Sequence, residues 1–298
     1  GVTGDWENPY ITMSYDAEAQ IVRELLKFSM NGGLYRGSKP VMWSPVEKTA
    51  LAEAEIEYHD HVSTTIYVRF PVTAGPEFAD GGNVVIWTTT PWTMPGNRAI
   101  SYGADLDYVG IEVVATEEDS LAKAGEKLFV AEALLEEVQK ETGITEVKAF
   151  WSGKGVAFAD VICRHPFAGQ GYDFDVPLLD GDHVTVDAGT GFVHTAPGHG
   201  QEDFEVGMKY GIEVPQTVDE DGTFYKHVPM FAGEHVYKCN EHVADELESA
   251  GALLKRGKIK HSYPHSWRSK APLIFRNTSQ WFVSMETNDL RKKALKAI

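Results

Sequence analysis

Beyond Pro45 the chain is written in short β-branched stretches broken by glycine and aspartate, and this pattern constrains its fold more than any other feature. Ile66, Val68 and Phe70 alternate with Tyr67 and Arg69, the period-two signature of a half-buried strand. Residues 84–90 form a β-branched run, Val109, Ile111 and Val113 alternate again, and 127–130, 184–186 and 191–194 are further strand candidates. Helical spacing is sparser. Ile21, Val22, Leu25 and Leu26 predict a helix with Asp16 as N-cap that stops at Gly32 and Gly33. Other helices are expected through Leu134, Leu135 and Val138 to Gly143, over 201–210 before Gly211, and from near His242. Many short strands with few helices predict a β-rich α+β protein on a distorted, partly closed barrel with peripheral helices.

The two ends differ from this body. Residues 1–50 read as a connector, 51–260 as the main domain and 261–298 as a return connector, so the body looks like an insertion. Within the return segment, 261–276 should be extended, 280–285 a buried strand and 288–298 an exposed basic helix. The chain begins with Gly1 rather than Met, in neither a signal nor a transit pattern, which suggests a piece cut from a longer protein. No apolar run is long enough to span a bilayer, so no membrane partner is expected. Cys163 and Cys239 stand far apart with no CxxC pair, which favours neither disulfides nor thiolate zinc and points to a reducing cytoplasm. The net charge of −17 speaks against a general nucleic-acid binder. It is unevenly spread, however. From Lys255 onward eleven Lys and Arg face only Glu286 and Asp289, a local charge of +9 that leaves −26 on the rest. Such a basic edge suits phosphate contact, and a solvated surface explains it equally well.

Two segments can carry chemistry. At 87–97 the sequence is Trp-Thr-Thr-Thr-Pro-Trp-Thr-Met-Pro-Gly-Asn: a strand enters three threonines, and Pro91 and Pro95 then impose a stiff, extended loop. Such a loop can aim hydroxyls at a ligand with little ordering cost, and Asn97 can both donate and accept. The alternative is a strand and a proline-stiffened turn with Trp87 and Trp92 in the core. At 194–203 the sequence is His-Thr-Ala-Pro-Gly-His-Gly-Gln-Glu-Asp, with Glu202 and Asp203 in the first turn of a helix. The helix dipole favours an ionised carboxylate there, so Asp203 could hold an ammonium group. The alternative is a satisfied helix end and a hydrogen-bonded core histidine at His194. A metal set of His194, His199 and Asp203 fits no spacing with a physical rationale. No GxSxG elbow supports a serine triad, and Trp151-Ser152-Gly153 reads as a turn.

Both segments resemble the editing domain of isoleucyl-tRNA synthetases, the class I group that includes the valyl and leucyl enzymes. The flanks resemble it too: Asn-Pro-Tyr-Ile-Thr-Met at 8–13, Tyr-Arg-Gly-Ser-Lys-Pro at 35–40, Ala-Glu-Ala-Glu at 52–55, Tyr-Pro-His-Ser-Trp-Arg at 263–268 and Gln-Trp-Phe at 280–282. The similarity covers nearly the whole chain. The Pro-Trp-Thr after the threonines separates it from the leucyl and valyl enzymes, which look like Thr-Thr-Arg-Pro there. HIGH-like and KMSKS-like ATP signatures are absent.

The resemblance implies an editing insertion without its catalytic core, one that hydrolyses the ester of valyl-tRNA(Ile) and rejects isoleucine by size. One methylene is worth only about 1 to 3 kcal/mol, a magnitude for which the isoleucine–valine choice of the family it resembles is the standing example, hence the need for a second sieve. Asp203 would pair with the α-ammonium, His194 would crowd the side-chain pocket, Thr88, Thr89 and Thr90 would bind the ester and terminal adenosine, and Asn97 would position the substrate. The expected partners are the acceptor end of tRNA(Ile) and its valine moiety, and the chain is expected to act as a monomer. No cofactor is expected here; ATP and Mg2+ would serve the parent enzyme, which joins isoleucine to tRNA. Some family members carry cysteines near Ser44 and Ser266, and serine at these positions implies no metal. A tRNA-end binding module with little isolated activity is the competing reading.

Overall fold

The computed structural model describes all 298 residues, Gly1–Ile298, in two compact units: Gly1–Lys39 with Thr278–Ile298, and Pro40–Asn277. In chain order the strands are β1 (Leu34–Ser44), β2 (Thr49–Ala50), β3 (Ile56–Ala74), β4 (Gly82–Thr88), β5 (Ala99–Tyr102), β6 (Asp107–Thr116) and β7 (Lys127–Ala131). They continue as β8 (Ile144–Lys154), β9 (Ile162–Arg164), β10 (Asp175–Asp180), β11 (Phe192–Thr195), β12 (Leu253–Ser266) and β13 (Ile274–Val283). The helices are α1 (Tyr15–Met30), α2 (Leu135–Thr142), α3 (Gln201–Tyr210), α4 (Asn240–Ser249) and α5 (Leu290–Ala297). The protein is thus α+β and β-rich.

In the larger unit one sheet runs β11-β5-β10-β9-β3-β4-β7-β6-β8, with β12 paired to β3. Its first six strands curl round a core that includes Phe70, Ile86, Met94, Ile100 and Phe192. The curl is a barrel left open: β11 lies beside β4, but no ladder joins them. The sequence expects β3 to be half-buried, yet residues 65–70 are buried on both faces. Ile66, Val68 and Phe70 face the barrel, while Tyr67 joins Val85, Ile111, Leu128 and Val138 in a second core under α2. Arg69 tolerates this burial because Nη1 bonds Glu126 and Nη2 bonds the carbonyls of Leu121 (2.9 Å) and Leu253 (3.1 Å). Residues 184–186 form no strand, and Trp151–Gly153, expected as a turn, lies inside β8. Gly143 and Gly211 close α2 and α3 in the left-handed conformation that glycine adopts without strain.

In the smaller unit α1 starts one residue after Ser14, whose hydroxyl accepts from Ala17 N (3.4 Å), so Asp16 sits in the first turn rather than at the cap. Its apolar positions Ile21, Val22, Leu25 and Leu26 are exposed. Tyr35 stacks on Phe282 with ring centroids 5.5 Å apart. Residues 280–283 are not buried, Trp281 being 69% exposed, and α5 is an exposed basic helix as its composition predicts. No helix is long and apolar enough to cross a membrane.

Candidate active site

The threonine segment folds as a buried turn rather than an extended loop. β4 ends at Thr88, and Pro91–Gly96 form a 3-10 turn in which every residue is buried. Pro91 suits its first position because its fixed φ is helical and its missing N–H has no partner to lose. Thr93 closes the turn by donating from both N (2.9 Å) and Oγ1 (2.8 Å) to the carbonyl of Thr90. Thr88 Oγ1 accepts from Thr90 N (3.2 Å) and lies 3.1 Å from Thr90 Oγ1. Trp92 N donates to Asn240 Oδ1 at the start of α4 (3.1 Å), which pins the turn to that helix.

The histidine segment meets this turn face on. β11 pairs with β5, setting His194 opposite Ile100. The His194 ring is buried and both nitrogens are engaged: Nε2 lies 2.9 Å from Thr93 Oγ1, and Nδ1 lies 2.8 Å from Asn97 Nδ2. Asn97 Nδ2 also donates to the carbonyl of Ala99 (2.9 Å), which orients the amide. The proton order follows. Asn97 donates to Nδ1, Nε2 carries the ring hydrogen and donates to Thr93, and Thr93 donates to Thr90. Burial depresses His194 to a pKa of about 3, so it is neutral and a feeble base. Asn97 Oδ1 has no protein partner in this network. His199 packs edge-on to Trp92 (4.9 Å), and a Cβ on Gly96 would come 2.9 Å from its ring, so this close approach requires glycine. His199 bonds the Phe275 carbonyl (3.0 Å) and Thr217 Oγ1 (2.5 Å). The ring nitrogens of His194 and His199 are thus all engaged by protein partners.

Asp203, in the first turn of α3, does not cap its own helix. Its Oδ2 accepts from Ala196 N (2.9 Å), two residues beyond His194. The side chain is half-buried, and loss of water raises its pKa to about 7 despite the Ala196 hydrogen bond, with Glu202 pushing the same way. The helix dipole alone therefore does not keep it fully ionised at neutrality, as the sequence leads one to expect. A cation beside it would.

Thr89, Thr90 and Trp92 wall a cavity of about 300 Å³, completed by His61, Tyr237 and Tyr263 among others. A second cavity of about 260 Å³ occupies the gap in the barrel between Thr88 and Thr89 on one side and Gly189, Thr190 and Val193 on the other. Thr89 borders both, while His194 and Asp203 are not among their walls. Of the residues named from sequence, Thr88, Thr90, Asn97 and His194 are thus linked by hydrogen bonds through Thr93, Thr89 lines the cavities outside that network, and Asp203 stands apart, bonded to the backbone of Ala196. Thr93 and Asn240 were missed. Thr93 stood in the motif, but nothing local says that it meets a histidine 101 positions away. The positions that resemble cysteine sites elsewhere also converge: Ser44 Oγ and Ser266 Oγ (3.1 Å) both bond the carboxylate of Glu47.

A family model described as tRNA synthetases class I (I, L, M and V) matches residues 1–298. The chain belongs to that family. Within it, the chain is 54% identical over 299 residues to an isoleucine–tRNA ligase of Pelagibacter ubique and 51% identical over 313 residues to that of Gluconobacter oxydans. Each match covers 100% of this chain and 33% of the relative, so the chain spans about a third of their length. The solved structure of GlLeuRS-CP1 aligns with a TM-score of 0.46 at 14% identity, over 64% of this chain and 99% of that one, a likeness too slight to bear on function.

Proposed function

We propose that the chain is the post-transfer editing part of an isoleucyl-tRNA synthetase, which hydrolyses the ester of valyl-tRNA(Ile). The observation that carries this reading is the direct joining of the threonine turn to the histidine strand, through Thr93, His194 and Asn97, beside cavities that Thr88, Thr89 and Thr90 border. Residues 51–260 are the editing body, and 1–50 and 261–298 are the connectors to and from the synthetic core.

In this reaction the oxygen of a water adds to the ester carbonyl carbon, the bond to the ribose oxygen breaks, and valine and a free tRNA end leave. Asp203 holds the α-ammonium of the substrate, whose charge draws the raised carboxyl pKa back down. The hydroxyls of Thr88, Thr89 and Thr90 orient the ester and the terminal adenosine. His194, neutral and fixed by Asn97 and Thr93, lies behind the cavity linings and braces the threonine turn where it admits valine and leaves no room for the extra methylene of isoleucine. A histidine with a pKa of about 3 is too weak to serve as general base near neutrality. Water activation therefore falls to the threonine hydroxyls and a ribose hydroxyl. Activation of isoleucine with ATP and Mg2+ belongs to the remainder of the parent enzyme, and no residue here is assigned to it.

The weakness of these bases favours a second reading, a domain that grips the tRNA end but turns over poorly alone. Incubating the chain with valyl-tRNA and measuring released valine decides between them: release well above the spontaneous rate is expected, and a spontaneous rate leaves only the binding module.

A further inference from the structure

β4 pairs only with the part of β3 from Ile66 onward. The earlier part of β3 pairs with β12 alone, from Ser266↔Ile56 to Gly257↔Thr65, so a two-stranded ribbon leaves the barrel beside the threonine turn. A two-stranded ribbon is marginal in water and depends on its cross-strand side chains. One face of this ribbon is unusual. The register sets His61 opposite His261, His59 opposite Tyr263 and Glu57 opposite His265. Residues directly opposite share a face, which gathers four imidazoles and a phenol. His61 lies 4.9 Å from Tyr263 and 5.8 Å from His265, His59 lies 5.2 Å from His265, and His261 lies 5.6 Å from Tyr263, centroid to centroid.

Stability alone does not account for this choice. β-Branched and apolar aromatic residues serve a ribbon better, and crowded imidazoles discourage one another's charge. Burial, with His265 and His261 alongside, holds His61 below its ordinary pKa. The ladder also has a direction. At its inner pair His61, with Tyr263 one step farther out on the partner strand, joins Thr89 and Thr90 in walling the larger cavity; His59, opposite Tyr263, keeps 49% of its side chain exposed, and His265, the farthest ring along the ribbon, is buried.

We propose that this face, from His61 and His261 to His59 and Tyr263, is a stacking platform for single-stranded nucleic acid that leads into the cavity. Unpaired bases stack on aromatic and imidazole rings without needing a fixed sequence, and same-face positions recur about every 6.8 Å along the ribbon. Charge adds only modestly to the grip, because several nearby cations are already matched, Lys260 with Asp60, Arg256 with Glu241 and Asp245, and Lys270 with Glu57, which leaves Lys238 in the cavity wall and Lys258 on the ribbon to meet phosphates. The strand is the unpaired 3′ end of tRNA, an identity that rests on the proposed function; the platform itself does not.

The test is fluorescence anisotropy of a short labelled single-stranded RNA ending in CCA, titrated with the full chain. Stacking of one base changes affinity by about 5- to 150-fold. Replacing both His59→Ala and His261→Ala should weaken binding by at least ~5-fold, and the pair His59→Phe and His261→Phe should restore most of it. Raising salt from about 50 to 200 mM should cost far less than the 10³- to 10⁵-fold loss typical of binding through many phosphates. Unchanged affinity in the alanine pair overturns the platform, and so does a loss that the phenylalanine pair fails to recover. RNA held by the ladder with no release of valine counts against the proposed function alone. Valine release with no ladder-dependent RNA binding counts against the platform alone.

Discussion

His194 and Asp203 lie on one segment, nine positions apart, and the protein treats them in opposite ways. His194 is finished: each ring nitrogen has its own protein partner, and burial drives its pKa down to about 3. Asp203 is unfinished. It accepts a single hydrogen bond, and burial drives its pKa up to about 7. Both shifts arise from desolvation and both favour the neutral form. They differ in what would reverse them. No added group improves His194, whereas a cation beside Asp203 removes the strain at once. Under the proposed function, completing one polar group and leaving its neighbour wanting divides the labour between shape and charge.

The largest effect that could break this division is on Asp203. Asp203→Ala is expected to lower hydrolysis of valyl-tRNA by about 10²- to 10³-fold, the scale for truncating one member of a desolvated charge pair. Deacylation at the unaltered rate would show that Asp203 does not hold the ammonium. His194→Ala acts on selectivity instead. Removing the brace behind the threonine turn should raise hydrolysis of correctly charged isoleucyl-tRNA by about 10-fold or more, in line with the energy of one methylene. Valyl-tRNA should be cleaved at a similar rate as before. An unaltered ratio of the two rates removes His194 from the sieve.

The comparison also explains what the sequence could and could not disclose. The strands with β-branched alternation and the glycine-stopped helices were legible because their causes are local. Burial of Arg69 was not, since the carbonyls that satisfy it come from Leu121 and Leu253. Residues 184–186 have strand composition, but no partner strand runs beside them. Pro91 was read correctly as a stiffener, and only the closing bonds of Thr93 make the result a turn rather than an extended loop. His194, Asn97 and Asp203 are visible through a motif, which conveys residue identity and not surroundings. That His194 is finished and Asp203 is not depends on Thr93 and Ala196, and no spacing rule conveys that. The five-ring ladder is assembled from positions about 200 apart, so its register was invisible until β3 met β12.

A pH profile sharpens the contrast. A carboxyl with a pKa of about 7 in the free protein must lose its proton before it can pair with an ammonium, and kcat/KM reports the free enzyme. Activity toward valyl-tRNA should therefore climb as pH rises to about 7 and then level, until the substrate's own α-amino group deprotonates. Asp203→Asn should erase the climb along with most of the activity. A profile flat from pH 5 to 7, measured on about the same scale of pH as these shifts, would place the titrating carboxyl elsewhere.

The smallest expected effects are on stability, and here the two residues should part in sign. Thr93→Val keeps the shape of the turn but strips the acceptor from His194 Nε2–H, leaving a buried donor unpaired at a cost of about 1 to 3 kcal/mol. Asp203→Asn removes a carboxylate that folding desolvates, so above pH 7 it should hold or raise the urea midpoint. The pH trends oppose each other as well. The folded pKa of His194 lies below its unfolded value near 6.5, so its contribution is intact above that pH and is lost as pH falls toward about 3. The folded pKa of Asp203 lies above its unfolded value near 3.8, so the protein loses stability at this group as pH rises toward about 7. If Asp203→Asn instead lowered the midpoint above pH 7 as much as Thr93→Val does, Asp203 would be a finished structural group like His194, and the division of labour between them would fail.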